Sequence, residues 1–469
     1  MDNRLNNFLS VLFFAFVFVY LFFRALYVDL THDEALSAEL VSGTGGGFYT
    51  ANNHLLNSLL TKILTTVFGR AEIVLRLPGL FGFVLFYIYG QKLLNGTPWV
   101  IRWFLLMLLV LNHYFLEFFA LNRGYGLSMG LIIVSFYYLK RFCSGFQEKK
   151  FIIKDLHTAV FLCLLAATDN LTLLNVVFSY FIVLLILFSF NLKVLIRELI
   201  FGYEKFKVFI LFLLWTSGLI SWIIFLQMRK ELYFGGSIDF IHDTLTVLIH
   251  RFFGMNYYGE TLWKILLLLT VLFILGVAIV LIIRRKNRFY PISTTLLVYI
   301  LILNIQFYFL ESKLPLERTA LIFYILFPLC FSELIGDVWR KAKDNSLKYL
   351  SVLIVIPAFF IIINFGNSMN LVRSTEWRYD MNSGEVLSSV SQIIIGNSSN
   401  TDIFVDHRYY PSLRYYNQEL DLGLKLHDTM EEANICSAMI RTPDVFIPEG
   451  FIELPLNYEY EGKIYMKLK

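Results

Sequence analysis

Eleven stretches of this 469-residue chain are long and apolar enough to cross a bilayer, at about 8–28, 73–94, 100–119, 122–140, 152–168, 171–190, 206–227, 262–283, 290–310, 320–337 and 348–365. A crossing helix takes roughly twenty such residues, because inside hydrocarbon every backbone polar group must be satisfied within its own helix. The chain therefore reads as a mainly α, polytopic membrane protein. Hydrophobic residues make up 57% of it and charged residues 16%, which excludes an ordinary soluble domain. The first stretch exceeds a signal-peptide core and shows no small-x-small cleavage pattern, so it reads as a retained helix. Cys143, Cys163, Cys330 and Cys436 form no CxxC pair, and neither a disulfide framework nor a cysteine metal site is expected.

Cations set the orientation, since short loops rich in Lys and Arg stay cytoplasmic. With the N-terminus inside, the inner loops hold Lys92, Lys140 to Lys154, Lys193 to Lys207, Arg284 to Arg288 and Arg340 to Lys348. The outer loops are then Asp29 to Arg70, the turns at Arg123 and Asp169, Lys230 to Glu260, and Glu311 to Thr319. An odd number of crossings puts the C-terminal segment outside as well.

From Gly366 onward nine Lys/Arg face fifteen Asp/Glu, a net of −6, which leaves 31 against 21, or +10, for residues 1–365. That division predicts two domains, a membrane part at 1–365 and a small outer α/β domain at 366–469. The linker is expected at "NFGNSMN" (364–370), the strands at "DIFVDH" (402–407) and "DVFIPE" (444–449), and helix-compatible polar sequence at 428–439. Nothing in the charge pattern points to nucleic acid.

The first outer loop, 29–70, is too long for a passive connector. "THDEALSAELV" predicts a surface helix with Thr31 as N-cap and Glu34 closing a capping box, broken by the glycine run beginning at Gly43. "NNHLLNSLLTKILTTVFG" (52–69) has one apolar face but keeps Asn57, Ser58, Thr61 and Lys62, so it reads as an interfacial helix. The cap accounts for Glu34 and leaves Asp33 unexplained. His54 fits either an ordinary interfacial histidine or a pocket wall.

Other ionisable groups gather at the same level. "LEFFALNRGYGLS" carries Glu117, Arg123 and Tyr125, which fit either an ion pair closing a tight turn or a wet cavity. Asp169, in "ATDNLT", fits a solvated turn or a contact with substrate. "LESKLPLERTALIFY" adds Lys313, Glu317 and Arg318, the last either snorkelling to headgroups or facing a site. Carboxylates and guanidinium groups on one membrane face suit chemistry on a lipid phosphate, with a carboxylate to take a proton and an arginine to stabilise the leaving group.

"HDEALSAELV", "NNHLLNSLLTKILTTVFGRAEIVLRLPGLFG", "LEFFALNRGYGLSMG" and "PLERTALIFY", in this order, resemble the bacterial glycosyltransferase family 39 group of the GT-C fold. Relatives of that group include protein O-mannosyltransferases and the lipid A aminoarabinose transferase. The resemblance covers residues 1 to about 330 and implies an inverting transferase at the outer face of the bacterial cytoplasmic membrane. Its donor would be a polyprenyl-phosphate sugar; the acceptor hydroxyl stays open between lipid, glycan and protein, and because the chain lacks the extra lumenal β-trefoil insertion of the protein mannosyltransferases, a protein acceptor is not implied.

The resemblance maps the family's active-site acid onto Asp33, with Glu34 beside it as the catalytic pair. His54, Glu117, Arg123, Tyr125, Asp169, Lys313 and Arg318 are the expected substrate-binding set, with Glu117 orienting Arg123 or meeting the acceptor. No cofactor is expected. The spacing of His32, Asp33, Glu34 and His54 matches no standard metal site. Two other readings stay open: a flippase or transporter for a lipid-linked saccharide, which would keep ionisable residues at mid-span, and a non-catalytic envelope scaffold.

Overall fold

The computed structural model describes residues 3–43, 50, 53–148, 150, 152–189, 203–231, 236–254, 260–284, 289–341, 355–397, 400–443, 450–455 and 459–467. In chain order its helices are α1 (Asn3–Tyr27), α2 (His32–Ser42), α3 (Leu55–Phe68), α4 (Glu72–Leu94), α5 (Trp99–Val110), α6 (His113–Glu117), α7 (Gly124–Gln147), α8 (Ile153–Asp169) and α9 (Leu174–Ser189). They continue with α10 (Tyr203–Met228), α11 (Thr246–Phe253), α12 (Glu260–Arg284), α13 (Pro291–Leu310), α14 (Phe323–Lys341), α15 (Val355–Ser368), α16 (Ser383–Asn397) and α17 (Tyr410–Glu419).

Each stretch expected to cross contains helix among the described residues, with breaks at 111–112 and 321–322. Seven of the described helices are long and apolar enough to span, and an eighth results if one bent pair is counted as a single crossing. That bend corrects the expected straight helix at 100–119: α5 and α6 meet at 60°. Asn112 is the cause, because its side chain accepts the Phe115 N–H at 3.0 Å and caps a new helix. Residues 190–202, 285–288 and 342–354, which carry many of the cations used to predict orientation, lie outside the described residues.

Glycines bring α4 and α7 into backbone contact. A Cβ on Gly82 would stand 2.5 Å from the Gly126 carbonyl oxygen, and one on Gly130 would press on the Gly82 carbonyl oxygen. Small residues at such crossings let membrane helices pack through their backbones. This contact anchors the start of α7, where Arg123 and Tyr125 sit.

The loop at 29–70 forms its two predicted helices. Thr31 and Glu34 make both halves of the capping box, and Gly43 ends α2 in the left-handed conformation at φ 79°. The rest of the glycine run, 44–47, lies outside the described residues.

The C-terminal segment carries a five-stranded sheet of β1 (Asp402–Val405), β2 (Lys425–His427), β3 (Ala438–Arg441), β4 (Phe451–Leu454) and β5 (Lys463–Lys467). Their order is β2-β1-β3-β5-β4, parallel on the β1 side and antiparallel through β5. Two details differ from expectation. The linker is helical through Ser368, because α15 runs on past the apolar stretch. The 428–439 region forms a 3-10 turn at Ala433–Ile435 and then enters β3, where pairing on both sides outweighs helix propensity. The expected strand at 444–449 lies outside the described residues.

This segment packs on the loop at 29–70, so both occupy one face of the bundle. Leu30, Ala35 and Leu75 share a buried core with Val386, Leu413, Ile403 and Ile440. Polar bonds fasten the same contact: Leu30 N–H donates to the Tyr416 hydroxyl at 2.8 Å, Gly384 N–H to Asp29 at 3.0 Å, and His32 N–H to Asp380 at 2.6 Å. Arg414 pairs with Glu39 of α2.

Candidate active site

Asp33 sits in the first turn of α2, and the capping box orients that turn so that its side chain points away from the Glu34 side. Arg318 Nη1 donates to Asp33 Oδ2 at 2.8 Å, and Arg123 Nη2 lies 3.3 Å from the same oxygen. Arg123 also donates to the Asp33 carbonyl oxygen at 3.2 Å and to Ser37 Oγ at 3.1 Å, so it clasps the whole first turn. Asp33 Oδ1 carries none of the described hydrogen bonds. Burial would push the Asp33 carboxyl up, but the Arg123 and Arg318 guanidiniums outweigh it and hold the group below the ordinary aspartate range.

Arg318 is the more open of the two arginines, its side chain 30% exposed against 1% for Arg123. On its other side lies Glu376 of the C-terminal segment, 3.4 Å away, and Trp377 faces the guanidinium at 5.3 Å. Tyr114 donates to Glu376 at 2.7 Å and also lies 4.9 Å beneath the Arg251 guanidinium, which bonds Glu317 at 2.6 Å. Burial raises the Glu376 carboxyl above its usual range against the pull of Arg318. A continuous string of charged and polar groups thus runs from Arg123 through Asp33, Arg318, Glu376 and the neutral Tyr114 to Arg251.

Arg251 belongs to α11, whose Leu248, Ile249, Phe252 and Phe253 line an apolar cavity of about 380 Å³. Phe273 of α12, Phe323 and Phe327 of α14 and Pro357 of α15 complete its walls. The charged string therefore ends beside a greasy cavity.

Glu34 takes no part in this site, which corrects its expected place in a catalytic pair. Arg76 of α4 grips it at both oxygens, Nε to Oε1 at 2.8 Å and Nη2 to Oε2 at 2.9 Å, with both side chains fully buried. Arg76 also reaches the Ala25 and Val28 carbonyls at 3.1 and 2.6 Å, so Glu34 fastens α2 to the end of α1. Glu117 is likewise elsewhere. It pairs with Arg24 at 3.2 Å and accepts from Thr375 N–H and Ser374 Oγ, so neither the turn-closing pair with Arg123 nor an orienting role forms.

Asp169 is no solvated turn and does not face the cluster as a ligand. It is buried, its Oδ1 accepting the Asn57 N–H at 2.9 Å and its carbonyl oxygen accepting His54 Nδ1 at 2.6 Å. His54 is buried and stands edge-on to Tyr125, ring centroids 4.8 Å apart. Tyr125 lies 6.0 Å below Arg123, so both line the Asp33 cluster. Lys313 is exposed and makes none of the described contacts with it. No group of three His, Cys, Asp or Glu side chains able to hold a metal occurs among the described residues.

The sequence reading missed Arg251, Tyr114, Glu376 and Trp377. Arg251 had a signal in "TLTVLIHRFF", an apolar helical run inside a supposed loop. Glu376 and Trp377, in "STEWRYD", had none, because their positions depend on how the C-terminal segment docks.

No family model matches the chain, and no curated protein does. Two solved structures share its fold: ArnT from Cupriavidus metallidurans in the apo state, with a TM-score of 0.53, and the same protein bound to undecaprenyl phosphate, with a TM-score of 0.52. Each is 10% identical and covers 97% of both chains. The mainly α membrane bundle expected from hydropathy, followed by the small α/β segment expected from charge and strand pattern, is the fold observed, and it is the fold those two structures share.

Proposed function

We propose that this chain is a membrane glycosyltransferase of the family 39 kind, moving a sugar from a polyprenyl-phosphate carrier to an acceptor hydroxyl with inversion. The observation that carries this reading is the string of arginines and carboxylates from Asp33 to Arg251, ending at an apolar cavity. A lipid phosphate needs both parts: guanidinium donors for its oxygens and a dry groove for the first isoprene units. That one of the similar structures holds undecaprenyl phosphate supports the same donor class.

The two domains, 1–365 and 366–469, belong to this proposal as a catalytic membrane part and an outer cover that supplies Glu376 and Trp377 to the site. The bacterial inner membrane, with the site on its outer face, completes the assignment.

In the proposed step the acceptor oxygen attacks the sugar C1 from the face opposite the phosphate. The C1–O bond to phosphate breaks, the electron pair leaves with the polyprenyl phosphate, and the hydroxyl proton passes to Asp33 Oδ1. Arg123 and Arg318 keep Asp33 ionised and fix Oδ2, which leaves Oδ1 to receive the proton. Arg318 and Arg251 neutralise the charge that develops on the departing phosphate.

The test is transfer of radiolabelled sugar from a panel of undecaprenyl-phosphate sugars to membrane extracts, with wild type and Asp33→Asn at equal expression. Wild-type transfer that falls by on the order of a hundred- to ten-thousand-fold in the variant is the expected result. Equal transfer by both removes Asp33 from the chemistry, and no transfer from any carrier returns the flippase and scaffold readings.

A further inference from the structure

We infer that Nε2 of His54 is a specificity-determining hydrogen-bond acceptor that reads one hydroxyl of the transferred sugar; this rests on the transferase reading above. Its Nδ1 stands 2.6 Å from the main-chain oxygen of Asp169. A carbonyl oxygen only accepts, so the hydrogen of a neutral imidazole must be on Nδ1, and Nε2 is left with its lone pair. Burial, followed by the charge of Arg123, holds the ring neutral with a pKa of about 3.

Nε2 is buried and has no hydrogen-bond partner among the described residues. Buried acceptors are rarely left unmatched, and where one is, a ligand or an ordered water supplies the missing donor. The ring cannot easily turn away to find another. A Cβ on Gly124 would lie 2.5 Å from Asp169 Oδ1 and 2.7 Å from His54 Cβ, so Gly124, Asp169 and His54 are locked together. Tyr125 stands against the ring from the other side.

The chemistry of the missing partner follows from the lone pair. A phosphodiester offers no donor and would be repelled, so the phosphate of the carrier belongs on the arginine side of Asp33 and not against His54. A saccharide hydroxyl offers the donor that Nε2 lacks. The site then has two unlike walls, cations for the phosphate and the His54–Tyr125 wall for the sugar, which together fix which way the sugar ring lies.

The experiment uses the full-length protein in lipid nanodiscs with a series of undecaprenyl-phosphate monosaccharides, each lacking one hydroxyl. His54→Asn keeps an amide donor toward Asp169 and removes the Nε2 acceptor, while His54→Gln places an amide oxygen near the Nε2 position. Wild type should lose on the order of ten- to a hundred-fold in kcat/KM on one deoxy donor. His54→Asn should lose a similar factor on the parent donor and no longer distinguish that one pair, and His54→Gln should recover part of the preference. Undecaprenyl phosphate alone should bind wild type and His54→Asn equally.

The inference is overturned if His54→Asn discriminates across the series as wild type does, which is the result if only a water sits on Nε2. It is overturned equally if His54→Asn weakens undecaprenyl phosphate itself. Should His54→Asn fail to fold, loss of the preference in a folded His54→Gln protein overturns it. Absence of transfer by wild type from every carrier sinks the transferase reading and this inference together, whereas normal wild-type transfer with an unchanged variant sinks the inference alone.

Discussion

Arg318 Nη1 lies 2.8 Å from Asp33 Oδ2, so a single charged hydrogen bond joins the loop after the first span to the loop that precedes α14, 285 residues away. The bond does more than hold two loops together. It opposes the burial that would otherwise protonate Asp33, and the ionised form is the one that can accept a proton.

The sign of that effect is testable. Because the folded carboxyl is held below its ordinary value of 3.8, it stays charged as pH falls and titrates only in stronger acid. The acidic limb of kcat/KM, which reports the free enzyme, should therefore lie below pH 3.8 wherever the protein survives, with no Asp33-dependent loss between pH 7 and 5. In Arg318→Gln, burial is opposed by one guanidinium fewer, so the limb of the residual activity should move to higher pH. An unmoved limb in a pH–rate profile would separate Arg318 from the ionisation of Asp33.

Glu34 and Arg76 should behave as a structural pair. Removing one partner of a fully buried ion pair strands the other and costs about 3–5 kcal/mol. Glu34→Gln and Arg76→Met should each lower the melting temperature in detergent, and the double variant should lose less than the sum of the two. Additive losses in that double-mutant cycle would mean the two side chains do not depend on each other.

At Gly82 an added methyl would press on the Gly126 backbone, which has no flexible side chain to yield. Gly82→Ala should push α4 and α7 apart and cost about 1–3 kcal/mol. Thermal unfolding should show the loss, and activity should fall with it because Arg123 and Tyr125 ride on the first turn of α7. An unchanged melting temperature would show that the crossing tolerates the methyl.

Asp380 is buried beneath His32 N–H and Ser412 Oγ, at 2.6 and 2.7 Å, and burial raises its carboxyl well above the usual range. A raised carboxyl favours folding at low pH and loses that advantage as pH climbs from 3.8 toward the folded value. Asp380→Asn should accordingly be nearly neutral at pH 7. Asp380→Ala, which leaves two donors without an acceptor, should cost about 1–3 kcal/mol. Equal losses in both variants, read by thermal unfolding, would show that the charged form is the one the fold requires.

Much of the architecture was legible because the bilayer simplifies the code. Runs such as 262–283 leave few alternatives to a helix, and the observed Glu260–Arg284 follows directly. The capping box at Thr31 and Glu34 was equally local, four residues whose bonds close on themselves. Charge pairing was not local. Glu117 lies six residues from Arg123 and looked like its partner, yet the bend at Asn112 aims it at Arg24, ninety-three residues away.

The sequence by itself determined which stretches form helices, that Asp33 starts one beside the membrane, and which residues carry charge near the outer ends. These follow from hydropathy and from hydrogen bonds made within a few residues. Only the tertiary structure decided that Asp33 meets Arg123 and Arg318, that Glu34 is spent on Arg76, and that Glu376 and Trp377 enter the site from the far end of the chain. Each of those pairings depends on how helices pack and on where the C-terminal sheet domain docks. Nothing in a residue's own neighbourhood states which distant charge will be brought within 3 Å of it once water is excluded.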